Sequence, residues 1–296
     1  MPVIFLLIVT IIYFVSGILF LIGLFIKRNF SSNEKPFISV VIAIRNEEKH
    51  IKNCLSDLSK QSYPNDRFEI ILVDDYSEDN TCKIIKEFQK NVNNIILLEI
   101  REREEKFSPK KYALNEGIKK SRGEIILTTD ADCRLQPNWI ESMVKTFTPD
   151  CGMVAGFSQI SEKNKIDSVF TGIQAVDFLS MMSAAGGAIS LGFPLAASGQ
   201  NLAFRKETFY KVGGFSKIKH MISGDDILLL QLIKKYDKIN FSSNKESFVT
   251  TYPAKSLKEF FSQRARWASN AFYQRKTDML FFIYLINLYL TILGLT

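Results

Sequence analysis

The chain has only two histidines, His50 and His220, in 296 residues. That inventory excludes a histidine-rich metal centre and a histidine-based triad, so acid–base chemistry falls to carboxylates. The four cysteines, Cys54, Cys82, Cys133 and Cys151, show no CxxC spacing. This speaks against a zinc site or a disulfide framework and for reduced thiols. No internal repeat or low-complexity stretch is present. The first apolar run of the body leads into Arg45-Asn46-Glu47 rather than GxGxxG, which excludes a nicotinamide-dependent reductase. Strong basicity is lacking too. A net charge of +7 is modest for this length, and the positive residues gather beside two apolar segments. Anionic headgroups are simpler partners there than nucleic acid.

Those two segments are the first positive feature. Pro2 to Ile26 contains no charge, and at ~1.5 Å per helical residue it is long enough for a ~30 Å hydrocarbon core. It lacks the positive start of a signal peptide, so a retained anchor is expected. Lys27 and Arg28 follow it and put the body in the cytoplasm. Met279 to Thr296 is again uncharged and follows Arg264, Arg266, Arg275 and Lys276, but it is of borderline length. It reads as a second span or as a buried C-terminal helix. The expected organisation at the cell membrane is a transmembrane helix over 1–27, a cytoplasmic catalytic domain over 36–250, an interfacial amphipathic helix over 255–276, and a membrane segment over 279–296.

The body opens on a continuous, β-branched run, Ile38–Ile44, which predicts a buried strand. Ile51, Cys54, Leu55 and Leu58 then fall at helical spacing. Phe68–Val73 predicts a second strand, Thr81–Lys90 a helix, and Ile95–Ile100 a third strand. Ser108-Pro109 opens a helix that Gly123 closes, and Glu124–Thr129 is a fourth strand. Alternating strands and helices predict an α/β fold, mostly parallel, with helices on both faces. Ligands bind such sheets at the carboxyl ends of the strands, where Asp74, Asp75, Asp130 and Asp132 all fall. Further on, Ile166–Met182 predicts a helix followed by a Gly/Ala/Ser-rich stretch to Ser198. That helix reads as core or as lying on the membrane surface. Leu257–Gln274 predicts an amphipathic helix bearing arginines and Trp267.

Asp130-x-Asp132 supplies two hard oxygen donors for Mg²⁺ or Mn²⁺, which complete their shells with phosphate and water. The same pattern also occurs by chance on surfaces and in haloacid-dehalogenase-type phosphatases. Those place it on the first strand with Thr or Val where this chain has Arg134. Asp225-Asp226 is a second acidic pair before a predicted helix, Ile227–Lys235. It reads either as a helix cap or as a base for an acceptor hydroxyl.

Taken together, these residues resemble the inverting glycosyltransferase family 2, with the GT-A fold, over roughly Pro36 to Arg275. The resemblance rests on Asn46-Glu47 after the first strand and on Val73-Asp74-Asp75-x-Ser77-x-Asp79-x-Thr81. It continues through Lys110, Ala113, Asn115 and Gly117, then Asp130-x-Asp132, Gly199-x-Asn201-x-Ala203-Phe204-Arg205 and Gly213–Phe215. Asp225-Asp226, with Asp where Glu is more usual, and Gln263-x-x-Arg266-Trp267 complete it. The last motif marks the membrane-associated branch. The resemblance implies that Asp74, Asp75, Lys110, Asp130 and Arg266 bind a nucleotide-diphosphate sugar, most simply a UDP-sugar. It implies that Asp132 with Asp130 holds the metal, and that Asp226, beside Asp225, is the catalytic base. It further implies that Gln200, Asn201, Gln263 and Trp267 meet a lipid or glycan acceptor. An inactive membrane scaffold of the same fold, or a processive polysaccharide synthase if the chain continues, are the alternatives.

Overall fold

The computed structural model describes residues 2–26, 30, 34–160, 168–269, 275 and 278–295. Helix α1 (Pro2–Phe25) leads to strand β1 (Ile38–Ile44), helix α2 (Ile51–Leu58), β2 (Phe68–Asp74), α3 (Thr81–Gln89), β3 (Ile95–Glu99), α4 (Pro109–Lys120) and β4 (Ile125–Thr128). Every strand and helix expected in this stretch forms, with ends within three residues of those read from the sequence. The short β5 (Arg134–Leu135), α5 (Trp139–Lys145), β6 (Cys151–Gly156) and β7 (Ser158–Ile160) follow. The remainder comprises α6 (Val169–Ser190), β8 (Leu202–Arg205), α7 (Lys206–Lys211), α8 (Ile227–Ile233), β9 (Lys238–Ser242), β10 (Val249–Thr251), α9 (Leu257–Ala268) and α10 (Met279–Leu295).

The main sheet has seven strands in the order β3-β2-β1-β4-β8-β6-β9, and only β8 runs against its neighbours. Its strands are continuous apolar runs because both faces are covered. Val40, Ile42 and Ile44 of β1 face the layer of α2 and α5, while Val41 joins α4 and α8 on the other side. A second sheet, β5-β10-β7, closes one end. Because β8 is antiparallel, its leading residues Gly199 and Gln200 lie at the same edge as the carboxyl ends of β1, β2 and β4. Thr128, the last residue of β4, pairs with Leu202.

The second half departs from the sequence reading in one instructive place. Helix α6 does not stop before the Gly/Ala/Ser-rich stretch but runs through it to Ser190. Glycine disfavours helix interiors by about 1 kcal/mol relative to alanine, yet here it permits close packing. A Cβ on Gly187 would lie 2.0 Å from the carbonyl oxygen of Phe20 in α1. One on Gly186 would lie 2.6 Å from the Phe241 ring. Helix α1 is thus seated on α6, and α10 lies against α1 through the Asn287 amide on the Val9 carbonyl and the Phe20–Tyr284 rings. Among the described residues only one helix, Ile4–Phe25 with mean hydropathy 2.8, is long and apolar enough to cross a membrane. Helix α10, at 17 residues, falls short of that length, so the expected second span is not supported. Of the helix expected over 255–276, residues 257–268 form α9, while 270–274, 276 and 277 lie outside the described residues.

Candidate active site

The loops after β1 and β2 are stitched together before any ligand is considered. The Asn46 N–H donates to Ser77 Oγ at 2.9 Å, the Glu47 N–H to Thr81 Oγ1 at 2.8 Å, and the Glu48 N–H to Asp79 Oδ2 at 3.1 Å. In return the side-chain carbonyl oxygen of Asn46 accepts the Glu78 N–H at 2.9 Å. Ser77, Asp79 and Thr81 therefore serve as pins, and what they fix is the position of Asp74, Asp75 and Glu47. Asp74 and Asp75 are 5% and 4% exposed. Asp75 is gripped by Arg103 at 3.0 and 3.3 Å, with Arg45 at 3.9 Å. One Asp74 oxygen accepts the Ser77 N–H, and the other is buried without a hydrogen-bond partner. Such an oxygen is an unspent acceptor at the ligand edge of the sheet.

Beside them lies a cleft of about 710 Å³ lined by Tyr76, Arg103, Ser108, His220 and Ile222 among others. Tyr76 is held at φ 59°. A left-handed aromatic residue is strained by roughly 1–3 kcal/mol, which is tolerated chiefly where a site needs it. His220, one of the two histidines, borders this cleft.

The centre is built around one ammonium. Lys110, in the first turn of α4, reaches Asp130 Oδ1 at 2.8 Å and Asp225 Oδ2 at 3.2 Å. It thereby joins the two acidic pairs, which are far apart in sequence. Burial works against its charge, but Asp130 and Asp225, with Asp226, hold the ammonium well above its ordinary range. For Asp225 burial pulls upward, yet Lys110 and then Lys111 keep the carboxylate below its usual value. Asp226 goes the other way. Burial and the neighbouring Asp225 push it up to about 6. One Asp226 oxygen accepts the Ile227 N–H at 2.6 Å and the other the Gly199 N–H at 2.9 Å. A Cβ at 199 would sit 3.0 Å from Asp225 Oδ2, so a larger residue there would press on that carboxylate. The capping reading of Asp226 is therefore correct, and it leaves the base reading intact.

At the first pair, burial and Asp130 raise Asp132 to about 6. Glu47 feels burial first, then Asp132, Asp130 and Asp79, and rises to about 7. Glu47 belongs to the Asn46-Glu47 motif, and its proximity to the pair emerges only from the fold. Arg134, next but one after Asp132, is clamped to Asp57 at 2.6 and 2.9 Å and so secures this turn. Among the described residues no group of three or more His, Cys, Asp or Glu converges tightly enough to hold an ion alone. Mg²⁺ and Mn²⁺ need only one or two carboxylates when phosphates and waters supply the rest. The mutual repulsion that raises Asp132 is what a cation would relieve, so the donors fit such an ion.

The expected acceptor residues fare unevenly. Asn201 is 0% exposed and wholly engaged: its amide donates to the carbonyls of Phe157 at 2.9 Å and Ser247 at 2.7 Å and accepts the Trp139 indole N–H at 2.9 Å. It is a structural pin and meets no acceptor. Orphaning one of these groups would cost about 1–3 kcal/mol. Gln200 is half-buried at the sheet edge, with one amide oxygen unpartnered. Trp267 packs against Phe178 at 5.9 Å and carries Arg264 over its ring at 4.3 Å. The ring is thus partly engaged by the protein's own side chains. Gln263 accepts from Arg264 at 2.8 Å. Arg266 has an exposed side chain, and its carbonyl accepts the Ser223 hydroxyl at 3.1 Å, which docks the end of α9 on the loop before Asp225.

A mostly parallel sheet with two acidic pairs joined by a lysine at its carboxyl edge defines an α/β protein whose candidate site lies where such sheets bind ligands. By sequence the chain belongs to glycosyl transferase family 2, whose pattern matches residues 39–193; that of glycosyl transferase family group 2 matches residues 125–295. It is similar to glycosyltransferase AglE of Haloferax volcanii, 30% identical over 65% of this chain and 59% of that one. It is also similar to an enzyme of Methanococcus voltae named dolichyl N-acetyl-alpha-D-glucosaminyl phosphate 3-beta-D-2,3-diacetamido-2,3-dideoxy-beta-D-glucuronosyltransferase. That likeness is 34% over 38% of this chain and 34% of that one. The chain thus spans at most about three fifths of these two curated relatives. In fold it resembles the mannosyltransferase PcManGT from Pyrobaculum calidifontis, solved with GDP-Man and Mn2+. The TM-score is 0.71 at 20% identity, covering 96% of this chain and 80% of that one.

Proposed function

We propose that the chain transfers a sugar from a nucleotide-diphosphate sugar, most simply a UDP-sugar, to a lipid-linked or glycan acceptor in one inverting step. The observation that supports this most is the division of the acidic pairs by Lys110. One carboxylate of each pair is tied to the ammonium, while Asp226 is left with its affinity for a proton raised toward neutrality. A buried carboxylate at about 6 is a competent base for an acceptor hydroxyl. In the step, the hydroxyl oxygen forms a bond to the anomeric carbon as its proton passes to Asp226. The bond from that carbon to the diphosphate breaks, and the nucleotide diphosphate leaves with the electron pair. Asp132 and Asp130 would hold a Mg²⁺ or Mn²⁺ ion, which supplies charge neutralisation on the diphosphate. Lys110 and Arg266 add positive charge toward the same group, and Asp74 and Asp75 border the cleft suited to the nucleoside.

The transfer is set at the cytoplasmic face of the cell membrane in this reading. Helix α1 supplies the anchor, and α6 and α9, packed together through the Phe170–Phe260 rings and the Arg264–Asp177 pair, expose apolar side chains. Val169, Ile173, Val176 and Leu179 of α6 are exposed, as are Leu257 and Phe261 of α9. Such a surface beside a span suits the headgroup boundary, where a lipid-linked acceptor presents its sugar or phosphate. The M. voltae relative, which by its name acts on a dolichyl-linked sugar phosphate, supports a lipid-linked acceptor.

The test is nucleotide diphosphate release by detergent-purified protein from a panel of UDP- and GDP-sugars, with Mn²⁺ or Mg²⁺ and a membrane lipid extract. Release that the extract stimulates and that Asp226→Asn removes establishes the transferase and identifies its donor. Absence of release from every donor, together with no binding of nucleotide or Mn²⁺, leaves the inactive scaffold as the better reading.

A further inference from the structure

Lys111, the neighbour of Lys110, is 1% exposed, and its ammonium is bound by the loop that leads into Asp225 rather than by a carboxylate. It donates to the carbonyl of Met221 at 2.5 Å, to that of Ser223 at 2.8 Å and to Ser108 Oγ at 3.4 Å. These carbonyls flank Ile222, which is 80% exposed and lines the cleft beside Tyr76. Asp225 and Asp226 follow within three residues. The same loop is held again on either side: the Ser108 N–H donates to the Lys219 carbonyl at 2.7 Å, and the Ser223 hydroxyl to the Arg266 carbonyl at 3.1 Å. Three separate pieces of chain, the start of α4, the loop 219–223 and the end of α9, meet at this point.

A buried ammonium is an expensive way to fill space. A methionine of similar shape would pack without desolvating a charge, and buried charges are often neutral or harmful to stability when compared with apolar groups in their place. Burial pulls the Lys111 ammonium down to about 8, and Asp225 and Asp226 partly restore it. The geometry points to Lys111 as a positioning residue that fixes the loop 219–223 and, through it, the placement of Asp225 and Asp226 against the acceptor. The two adjacent lysines thus serve the centre in different ways. Lys110 bridges the two acidic pairs directly, and Lys111 holds the loop that leads into Asp225 and Asp226. This inference rests on the transferase reading above.

The test compares Lys111→Met, Lys111→Arg and Lys111→Gln in the full chain in detergent. It measures kcat and donor KM for transfer, the dissociation constant for Mn²⁺ with UDP or GDP, thermal unfolding, and amide hydrogen exchange. Expected for Lys111→Met is a folded protein whose kcat falls roughly 10- to 100-fold, the scale of an ångström-size misplacement. Donor KM and Mn²⁺–nucleotide affinity change by at most about a few-fold, since Ile222 of the same loop lines the cleft, and the larger loss falls on kcat. Exchange quickens in the stretch 219–228 alone, and Lys111→Arg recovers part of kcat. An unchanged kcat overturns the inference, as does a loss of kcat matched by lost nucleotide binding and faster exchange throughout. Should Lys111→Met not fold, Lys111→Gln, which keeps a polar end but not the ammonium's reach, decides: a several-fold lower kcat with unaltered unfolding temperature supports the tether, and wild-type kcat removes it. A wild-type protein with no turnover on any donor would sink the transferase reading instead. The exchange pattern then judges the tether alone, with acceleration confined to 219–228 supporting it and uniform acceleration rejecting it.

Discussion

The two acidic pairs look alike in sequence and differ in what surrounds them. Lys110 takes one carboxylate from each, Asp130 and Asp225, and so leaves Asp132 and Asp226 as the partners with raised proton affinity. Asp226 is then caught by two backbone N–H groups, from Ile227 and Gly199, which fix its orientation. Asp132 has the Cys133 thiol at 3.7 Å, a weak donor at a long distance. One carboxylate is held in direction and awaits a proton. The other is crowded by Asp130 and by Glu47 and awaits positive charge. The same side chain performs base work or cation work according to the donors and like charges the fold places around it.

This contrast breaks most clearly under substitution. Asp226→Asn should lower kcat for transfer by about 10²–10⁴-fold, the usual contribution of a general base. Its Mn²⁺–nucleotide affinity should stay near the wild-type value. Asp132→Asn should do the reverse, weakening Mn²⁺ binding by at least roughly 10-fold and losing activity that excess Mn²⁺ partly restores. Mn²⁺ titration followed by electron paramagnetic resonance, alongside steady-state kinetics, separates the two. Equal loss of metal affinity in both variants would show that the pairs form one undivided site.

Acid sensitivity sharpens the comparison with a smaller effect. Asp226 acts only when ionised, and burial with Asp225 has moved it up to about 6. The rate at saturating donor should therefore be level above that pH and fall as pH drops through it, tenfold for each further pH unit. Asp225→Asn removes the like charge but not the burial, so the acid limb should move to lower pH without vanishing. A limb that stays in place in Asp225→Asn would mean that another group limits the rate.

The first half of the fold was legible because parallel strands buried on both faces are written as continuous apolar runs such as Ile38–Ile44 and Phe68–Val73. The acidic pairs were legible by type and spacing. Their union through Lys110 was not, because residues 110, 130 and 225 are joined only by the sheet. Asn201 was misassigned because a motif does not distinguish a residue that touches a ligand from one that bonds three neighbours inside the core. The course of α6 through Gly186 and Gly187 was hidden because the packing that favours glycine there belongs to α1 and Phe241, on distant segments. Lys111 gave no signal at all: beside Lys110 it reads as one more surface lysine, and only its placement against Met221 and Ser223 reveals it.

The smallest expected effect lies at Glu47. Its carboxyl is raised to about 7 by burial and then by Asp132, Asp130 and Asp79, so near neutral pH it is only partly ionised. A carboxylate that responds to both members of the metal pair should in turn be felt by a cation placed between them. Raising the pH from 6 to 8 ionises Glu47 and should strengthen Mn²⁺ binding in the wild type beyond what Asp132 alone provides. In Glu47→Gln the added negative charge never appears, so Mn²⁺ affinity at pH 8 should fall by roughly two- to fivefold, as for a partly solvated pair. The difference between variant and wild type should shrink toward pH 6, where the wild-type Glu47 is mostly protonated and as neutral as glutamine. A deficit that is the same at both pH values would mean that the substitution acts through the loop it shares with Thr81 rather than through charge. The cation would then be governed by Asp130 and Asp132 without help from Glu47.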